Sequence, residues 1–238
     1  MKAEKFNIGP VQILLDRHMV HKTPYCIRFM DTEFIIYPDV FNPTYTKVSS
    51  LLARNIKILP DQVVLEMFCG SGAVGLSAMK NAQKLVGVDI SPQAVICSVE
   101  NAKRLGYSYK TEFRLGSLWD TVNPNEKFDV ILANPPLLPA IPETLLEMAV
   151  ADSPEMNLTR NFITGLPAHL SNNGYALMAF SNACSVYVGD PIKFVEDLSN
   201  QVGIVSKVDD ELDVGYEVYR IIKFTKPERQ NGKNHSNG

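Results

Sequence analysis

The sequence predicts an α/β fold: a seven-stranded, mostly parallel sheet flanked by helices, with a short β-rich cap in front of it. Three observations carry this expectation. From residue 61 onward, strand-length apolar runs alternate with helical patterns, which implies parallel strands joined by crossovers. A glycine-rich turn links the first of these strands to its helix. The first 45 residues instead hold short β-prone runs.

The elements follow in order. Runs at 11–15, 25–29 and 33–37 read as strands, with Asp31-Thr32 turning the second into the third as a hairpin. An irregular connector, Pro38-Asp39-Val40-Phe41-Asn42-Pro43, leads to a helix over 46–58 with Val48, Leu51, Leu52 and Ile56 on one face. Core strands are expected at 63–68, 84–89, 112–115, 128–133, 175–180, 204–208 and 217–224. Helices are expected at 73–81, 92–105, 158–170 and 192–200, and Pro92 suits a first helical turn. The domain reading is a cap over 1–45, a core over 46–226 and a polar, disordered tail over 227–238.

Composition narrows the function classes. The 238 residues carry 23 basic and 26 acidic side chains, a net charge of −3. A protein living on phosphate contacts usually has a basic excess, so a nucleic-acid partner loses weight. Cys26, Cys69, Cys97 and Cys184 are scattered, with no CxxC or CxxH spacing. Neither a zinc site nor a disulfide framework is expected, and a reducing, cytoplasmic setting fits. The N-terminal decapeptide MKAEKFNIGP lacks the apolar core of a signal peptide, and no apolar run is long enough for a membrane span.

The first chemical signal is Val64-Leu65-Glu66-Met67-Phe68-Cys69-Gly70-Ser71-Gly72-Ala73-Val74-Gly75. Gly70, Gly72 and Gly75 satisfy G-x-G-x-x-G, which allows close backbone approach to a ligand but also marks nicotinamide-cofactor folds. Glu66, at the strand end, separates the two readings. A carboxylate there repels a pyrophosphate and suits a cationic ligand such as S-adenosylmethionine, with its sulfonium and ammonium groups. Asp89 ends the next strand, where a carboxylate can accept ribose hydroxyls from either cofactor. The plainer alternatives are a half-exposed strand-end acid for Glu66 and a helix N-cap for Asp89.

The second signal is Phe128-Asp129-Val130-Ile131-Leu132-Ala133-Asn134-Pro135-Pro136-Leu137. Two prolines cannot extend a ladder, and Pro135 pushes Asn134 out of the α region. The Asn134 amide oxygen and the Pro135 carbonyl can then face one cleft as two fixed acceptors. A planar nitrogen nucleophile needs such a pair: each takes one N–H, and the remaining lone pair turns toward a methyl donor. The plainer alternative is a strand-terminating turn.

With these residues in order, the chain resembles class I S-adenosylmethionine-dependent methyltransferases with an NPPY-type motif. Within them it resembles the HemK/PrmC-like group, which methylates release-factor glutamines, over roughly residues 36–224. The resemblance implies a Rossmann-like fold and S-adenosyl-L-methionine as cofactor. It implies that Glu66, Gly70 and Gly72 line the methionine part, Asp89 holds the ribose, and Ser117 and Leu118 flank the adenine. Asn134 and Pro135 would hold the target nitrogen, Asn134 lying against the cofactor too, with Pro136 and Leu137 against the acceptor. The pattern departs from the family at Leu137, where an aromatic is usual, and in the N-terminal 45 residues, where release-factor enzymes carry a longer helical domain. Both departures move weight toward a small-molecule or different protein acceptor. Leu137 also removes stacking worth about 1–3 kcal/mol to a flat base such as adenine.

Tyr45 is a candidate to replace part of that missing aromatic surface. His18, His21, His169, Trp119 and Cys69 read as structural or solvated residues, although Trp119 could also pack near an adenine. Competing functions remain. They are methyl transfer to an amino or guanidino nitrogen of a metabolite, an RNA or DNA adenine methyltransferase, a nicotinamide-dependent oxidoreductase, and a non-catalytic scaffold activating a partner subunit.

Overall fold

The computed structural model of the chain describes residues 9–228, so most of the predicted polar tail lies outside the described residues. Seven strands form the central sheet: β3 (Val63–Met67), β4 (Lys84–Asp89), β5 (Thr111–Leu115), β6 (Phe128–Ala133), β9 (Leu170–Ser181), β10 (Val205–Asp213) and β11 (Val218–Thr225). Their spatial order is β10-β11-β9-β6-β3-β4-β5, parallel except for β11, which is antiparallel to both of its neighbours. The chain runs outward from β3 through β4 to β5, then returns to place β6 on the other side of β3. That reversal opens a crevice at the carboxyl ends of β3 and β6, where doubly wound sheets hold their ligands. The Rossmann-like expectation therefore holds.

The helices flanking the sheet are α2 (Val48–Asn55), α3 (Ala73–Ser77), α4 (Pro92–Arg104), α6 (Asn157–His169) and α8 (Pro191–Gln201). Pro92 and Pro191 each open a helix behind a capping side chain, Ser91 and Asp190. Helix α3 is shorter than its predicted 73–81. Beyond it, the Met79 and Ala82 carbonyls accept from Lys110 Nζ at 2.7 and 3.0 Å, a bonding route that replaces the helical ladder. Strand β9 is longer than predicted because it bulges opposite β6, between Phe128 and Val130. Gly174 sits in that bulge, where an added Cβ would stand 2.7 Å from the Asp129 carbonyl.

The cap contains the expected hairpin, β1 (Tyr25–Phe29) and β2 (Thr32–Ile36), as a small antiparallel sheet. Its turn is Met30-Asp31 rather than Asp31-Thr32, and both residues have positive φ, as a two-residue hairpin turn requires. The hairpin is pinned to the core by buried Asn101 of α4. Its Nδ2 donates to the carbonyls of Ile35 and Ser71, while its Oδ1 accepts from the Ile35 N–H. One element reverses the expectation: the run at 11–15 lies in a helix, α1 (Gly9–Met19). Leu15 and His18, three residues apart, share its inward face, and that helical spacing outweighs the β-prone composition.

A further unit was not foreseen. Between β6 and α6 the chain forms β7 (Leu138–Pro139), α5 (Leu145–Met148) and β8 (Ala151–Asp152), with β7 and β8 paired in parallel. Thr144 and Glu147 cap α5 reciprocally. Leu15 of α1 packs with Val150 and Ala151, so this unit and α1 share a small apolar core over the crevice. A last short helix, α7 (Ser185–Val188), follows β9. Among the described residues, no helix is long and apolar enough to cross a membrane.

Candidate active site

A cleft of about 760 Å³ opens at the carboxyl ends of β3, β4 and β6. Of the residues expected to touch cofactor or acceptor, its lining brings together all but Gly72: Tyr45, Glu66, Gly70, Asp89, Ser117, Leu118 and Asn134 through Leu137. Gly72 sits just behind the wall, at the left-handed N-cap of α3.

On the β3–β4 flank the backbone is shaped tightly. Gly70 and Gly72 have φ of +52° and +72°, conformations that a side chain would strain. Gly75 is needed for another reason: a Cβ there would stand 2.5 Å from Glu66 Oε2. The third glycine of the motif thus makes room for the acid. Glu66 is only 4% exposed, and its buried Oε2 has no hydrogen-bond partner. Burial pushes its carboxyl up to about 8, with the nearby Asp89 charge adding to the rise. A half-exposed strand-end acid is therefore excluded.

Asp89 accepts the Gly70 N–H at 2.8 Å on Oδ2 and the Ser91 N–H at 2.9 Å on Oδ1. Ser91, not Asp89, caps α4, its hydroxyl accepting from Ala94. A carboxylate has about four acceptor positions, so Asp89 retains two for a ligand while the backbone fixes its plane. Its pKa is raised, burial outweighing these hydrogen bonds. Two bulky residues on this flank, Phe68 and Leu118, have φ of +60° and +48°. Such backbone strain in non-glycine residues gathers at ligand sites. Leu118 was expected there from the resemblance; Phe68 was not.

Asn134 stands where β6 stops, and Pro135 and Pro136 behind it are buried. Asn134 Nδ2 donates to Ser49 Oγ at 3.1 Å, which leaves Oδ1 as the amide's other end. Leu137 is 9% exposed and closes the floor beneath it. Ser49 went unnoticed in the sequence because nothing local marks it; it reaches Asn134 only through the packing of α2. Thr46 was also missed. Its buried Oγ1 lacks a hydrogen-bond partner, and it lines the same cleft.

The opposite flank is built differently. Ile13 and Leu14 of α1, Leu145 and Met148 of α5, and the turn between β10 and β11 wall it with mostly apolar surface. Glu217 in that turn accepts from Ser181 Oγ, and Tyr216 at the rim is 85% exposed. Tyr45 lines the entrance: its hydroxyl donates to the Arg17 carbonyl at 3.2 Å, and the Arg17 guanidinium lies 4.0 Å over its ring.

The residues expected to be bystanders behave as such. His18 is buried, its Nδ1 on the Leu14 carbonyl at 2.7 Å and its Nε2 accepting the Asn42 N–H at 2.9 Å. Burial holds its pKa below the usual value, so the neutral ring ties α1 to the 41–45 loop. Trp119 packs flat between Phe162 and His169 and donates to the Asn161 carbonyl. Gly165 gives the indole its space on α6, so the core role replaces the adenine alternative. His21 stacks on Tyr25. Cys69 is buried with its thiol pKa pushed well up by burial, the state of an inert packing residue.

An acid-tipped crevice at the switch point of a doubly wound sheet defines the class of enzymes that hold a nucleoside cofactor. The family model of the methyltransferase small domain matches residues 31–187, and the chain belongs to that family. Use of S-adenosylmethionine is a general property of that family. A Methanocaldococcus jannaschii relative named as a protein N5-glutamine methyltransferase is 32% identical over 145 residues, 58% of this chain and 71% of its own length. A release factor glutamine methyltransferase of Koribacter versatilis is 26% identical over 188 residues, 72% of this chain and 65% of its own length. Among solved structures, the 16S rRNA N2 G1207 methyltransferase of T. thermophilus in complex with AdoMet and guanosine superposes with a TM-score of 0.60. It is 17% identical, over 86% of this chain and 50% of its own.

Proposed function

We propose that this chain transfers a methyl group from S-adenosylmethionine to the amide nitrogen of a glutamine side chain in a protein. The observation that carries the reading is the end of β6: Asn134-Pro135-Pro136 opens into the same cleft as Glu66, Gly70 and Asp89. The cofactor fits the residues present. Glu66 Oε2 and Thr46 Oγ1 are buried atoms without partners in that lining, and the cofactor's polar methionine end would satisfy them. Glu66 and Gly70 would hold that end, with Gly72 shaping the turn behind them, Asp89 would hold the ribose, and Ser117 and Leu118 the adenine. When bound, the cofactor supplies an electrophilic methyl group on a sulfonium.

The chain's own residues do the rest. Asn134 Oδ1 and the Pro135 carbonyl each accept one N–H of the target amide, which turns the nitrogen's lone pair toward the methyl group. The same two oxygens stabilise the positive charge that grows on the nitrogen. Pro136, Leu137 and Tyr45 bound the space for the acceptor. The described part of the cap closes its outer side, since α1 and Tyr45 contribute to the cleft wall. The four cysteines are unpaired, which suits work in the cytoplasm.

A metabolite acceptor with an amino or guanidino nitrogen is the second reading. Leu137 favours it, because a compact apolar floor gives a flat macromolecular group no stacking surface. Tritiated-methyl transfer from labelled cofactor into a fractionated lysate separates the readings. N5-methylglutamine recovered from the protein fraction is the expected product, and label confined to RNA or metabolites overturns it. Heat protection by S-adenosylhomocysteine but not by NAD tests the cofactor.

A further inference from the structure

We propose that Glu217, in the turn between β10 and β11, selects the acceptor by pairing with a basic side chain that flanks the target glutamine. The inference rests on the reading of the acceptor as a protein glutamine.

The charges around the cleft lead to this residue. Among the described residues, five carboxyl side chains and one basic side chain line it. The basic residue, Arg17, is already engaged: its Nη1 donates to the Tyr45 carbonyl at 3.2 Å, and its guanidinium lies 4.0 Å over the Tyr45 ring. Such a lining repels phosphate and draws cations. Glu66 and Asp89 stand at the cofactor end. Asp39 belongs to the connector behind the cap, where its charge bears on His18. Asp152 is 2% exposed and accepts from the Ser153, Leu158 and Thr159 N–H groups and from the Thr159 hydroxyl. Those bonds fill the roughly four acceptor positions of a carboxylate. Glu217 is left, in a wall that is mostly apolar, where a few placed polar groups fix what binds.

Glu217 is held in place. Ser181, 2% exposed, donates its hydroxyl to Glu217 Oε1, while its own Oγ accepts the Ala183 N–H at 2.9 Å. Next to it, Asn182 Oδ1 accepts the Val218 N–H at 2.9 Å, which pins the start of β11 to the end of β9. Among the described residues, no basic side chain forms an ion pair with Glu217. The register sets its place relative to Asn134. Strand β9 meets β6 with Met178 opposite Ala133 and meets β11 with Ser181 opposite Tyr219. Ser181 therefore stands level with the Asn134-Pro135-Pro136 stop, and β11 lies two strands from β6. That is a lateral gap of roughly 10 Å at about 4.8 Å per strand. A lysine or arginine beside the glutamine covers such a gap with its long, flexible stem.

The test uses the full chain, tritiated-methyl S-adenosylmethionine and two end-blocked peptides, Gly-Lys-Gln-Lys-Gly and Gly-Glu-Gln-Glu-Gly. The wild-type chain is expected to favour the lysine peptide by roughly five- to twentyfold in kcat/KM. Glu217→Gln keeps an oxygen that accepts from Ser181 but removes the charge. It is expected to bring the ratio close to one, with the affinity for S-adenosylhomocysteine unchanged. Glu217→Lys is expected to invert the ratio; should that variant not fold, the Glu217→Gln ratio decides. A merely structural role for Glu217 slows both peptides together and leaves the ratio where it was, and that result overturns the proposal. Label entering both peptides equally with the wild-type chain overturns it alone. Label in neither, with S-adenosylhomocysteine still bound, overturns the glutamine reading and this proposal with it.

Discussion

The two flanks of β6 are built on opposite plans. Toward β3 and β4, the cleft is shaped by backbone: two glycines at positive φ, two strained bulky residues and an aspartate locked by two N–H groups. Toward β9 and β11 it is shaped by side chains from four distant segments: α1, the 138–156 unit, Tyr45 and the β10–β11 turn. A backbone-built surface suits a ligand that never changes. A side-chain-built surface can be altered one residue at a time without disturbing the sheet. On the proposed function, the difference teaches that a generic cofactor end is joined to an acceptor end set by the parts added around the core.

Variants can break or sharpen that contrast. Asn134 stands at the seam, so Asn134→Ala should have the largest effect, lowering kcat by roughly a hundred- to a thousand-fold while S-adenosylhomocysteine still binds. On the backbone-built flank, Asp89→Ala removes the acceptor of the glycine turn and the proposed partner of the ribose. It should weaken cofactor binding by about ten- to a hundred-fold in calorimetry. Gly75→Ala should destabilise the fold by about 1–3 kcal/mol, read as a lower Tm, because the new methyl group meets Glu66 Oε2.

Glu66 gives that flank a pH signature. Its folded pKa of about 8 lies above the ordinary 4.5, so the folded state holds a proton that the unfolded state has lost. The stability it contributes is complete below 4.5 and is lost as pH rises through about 8. Binding of the ammonium-bearing cofactor should change in the opposite sense, tightening toward pH 8 with release of a proton, and Glu66→Gln should flatten both profiles. The smallest effects belong to the side-chain-built flank. Tyr45→Ala and Leu145→Ser should each raise the acceptor KM a few-fold and leave cofactor affinity alone. A matching loss of cofactor affinity would dissolve the distinction between the flanks.

Much of this molecule was legible in one dimension. The seven strands, the hairpin, the glycine turn and the Asn-Pro-Pro stop depend on period-two or period-3.6 patterns and on residues with restricted φ, all properties of neighbours in sequence. Glu66 and Asp89 could be placed because a strand end has a known position in such a sheet. The run at 11–15 was misread because a β-prone composition masked the helical spacing of Leu15 and His18, whose reward is contact with Val150, Ala151 and Asn42.

What only tertiary structure decided is who meets whom across long separations. Ser49 behind Asn134, Thr46 with its orphaned hydroxyl, Gly75 as room for Glu66, and the wall built by α1 and the 138–156 unit have no local signature. Each arises when packed elements bring together groups from different elements, from nine positions apart for Glu66 and Gly75 to 85 for Ser49 and Asn134. Hydrogen bonds and apolar contacts of that kind are set by distance in space, to which spacing along the sequence is blind.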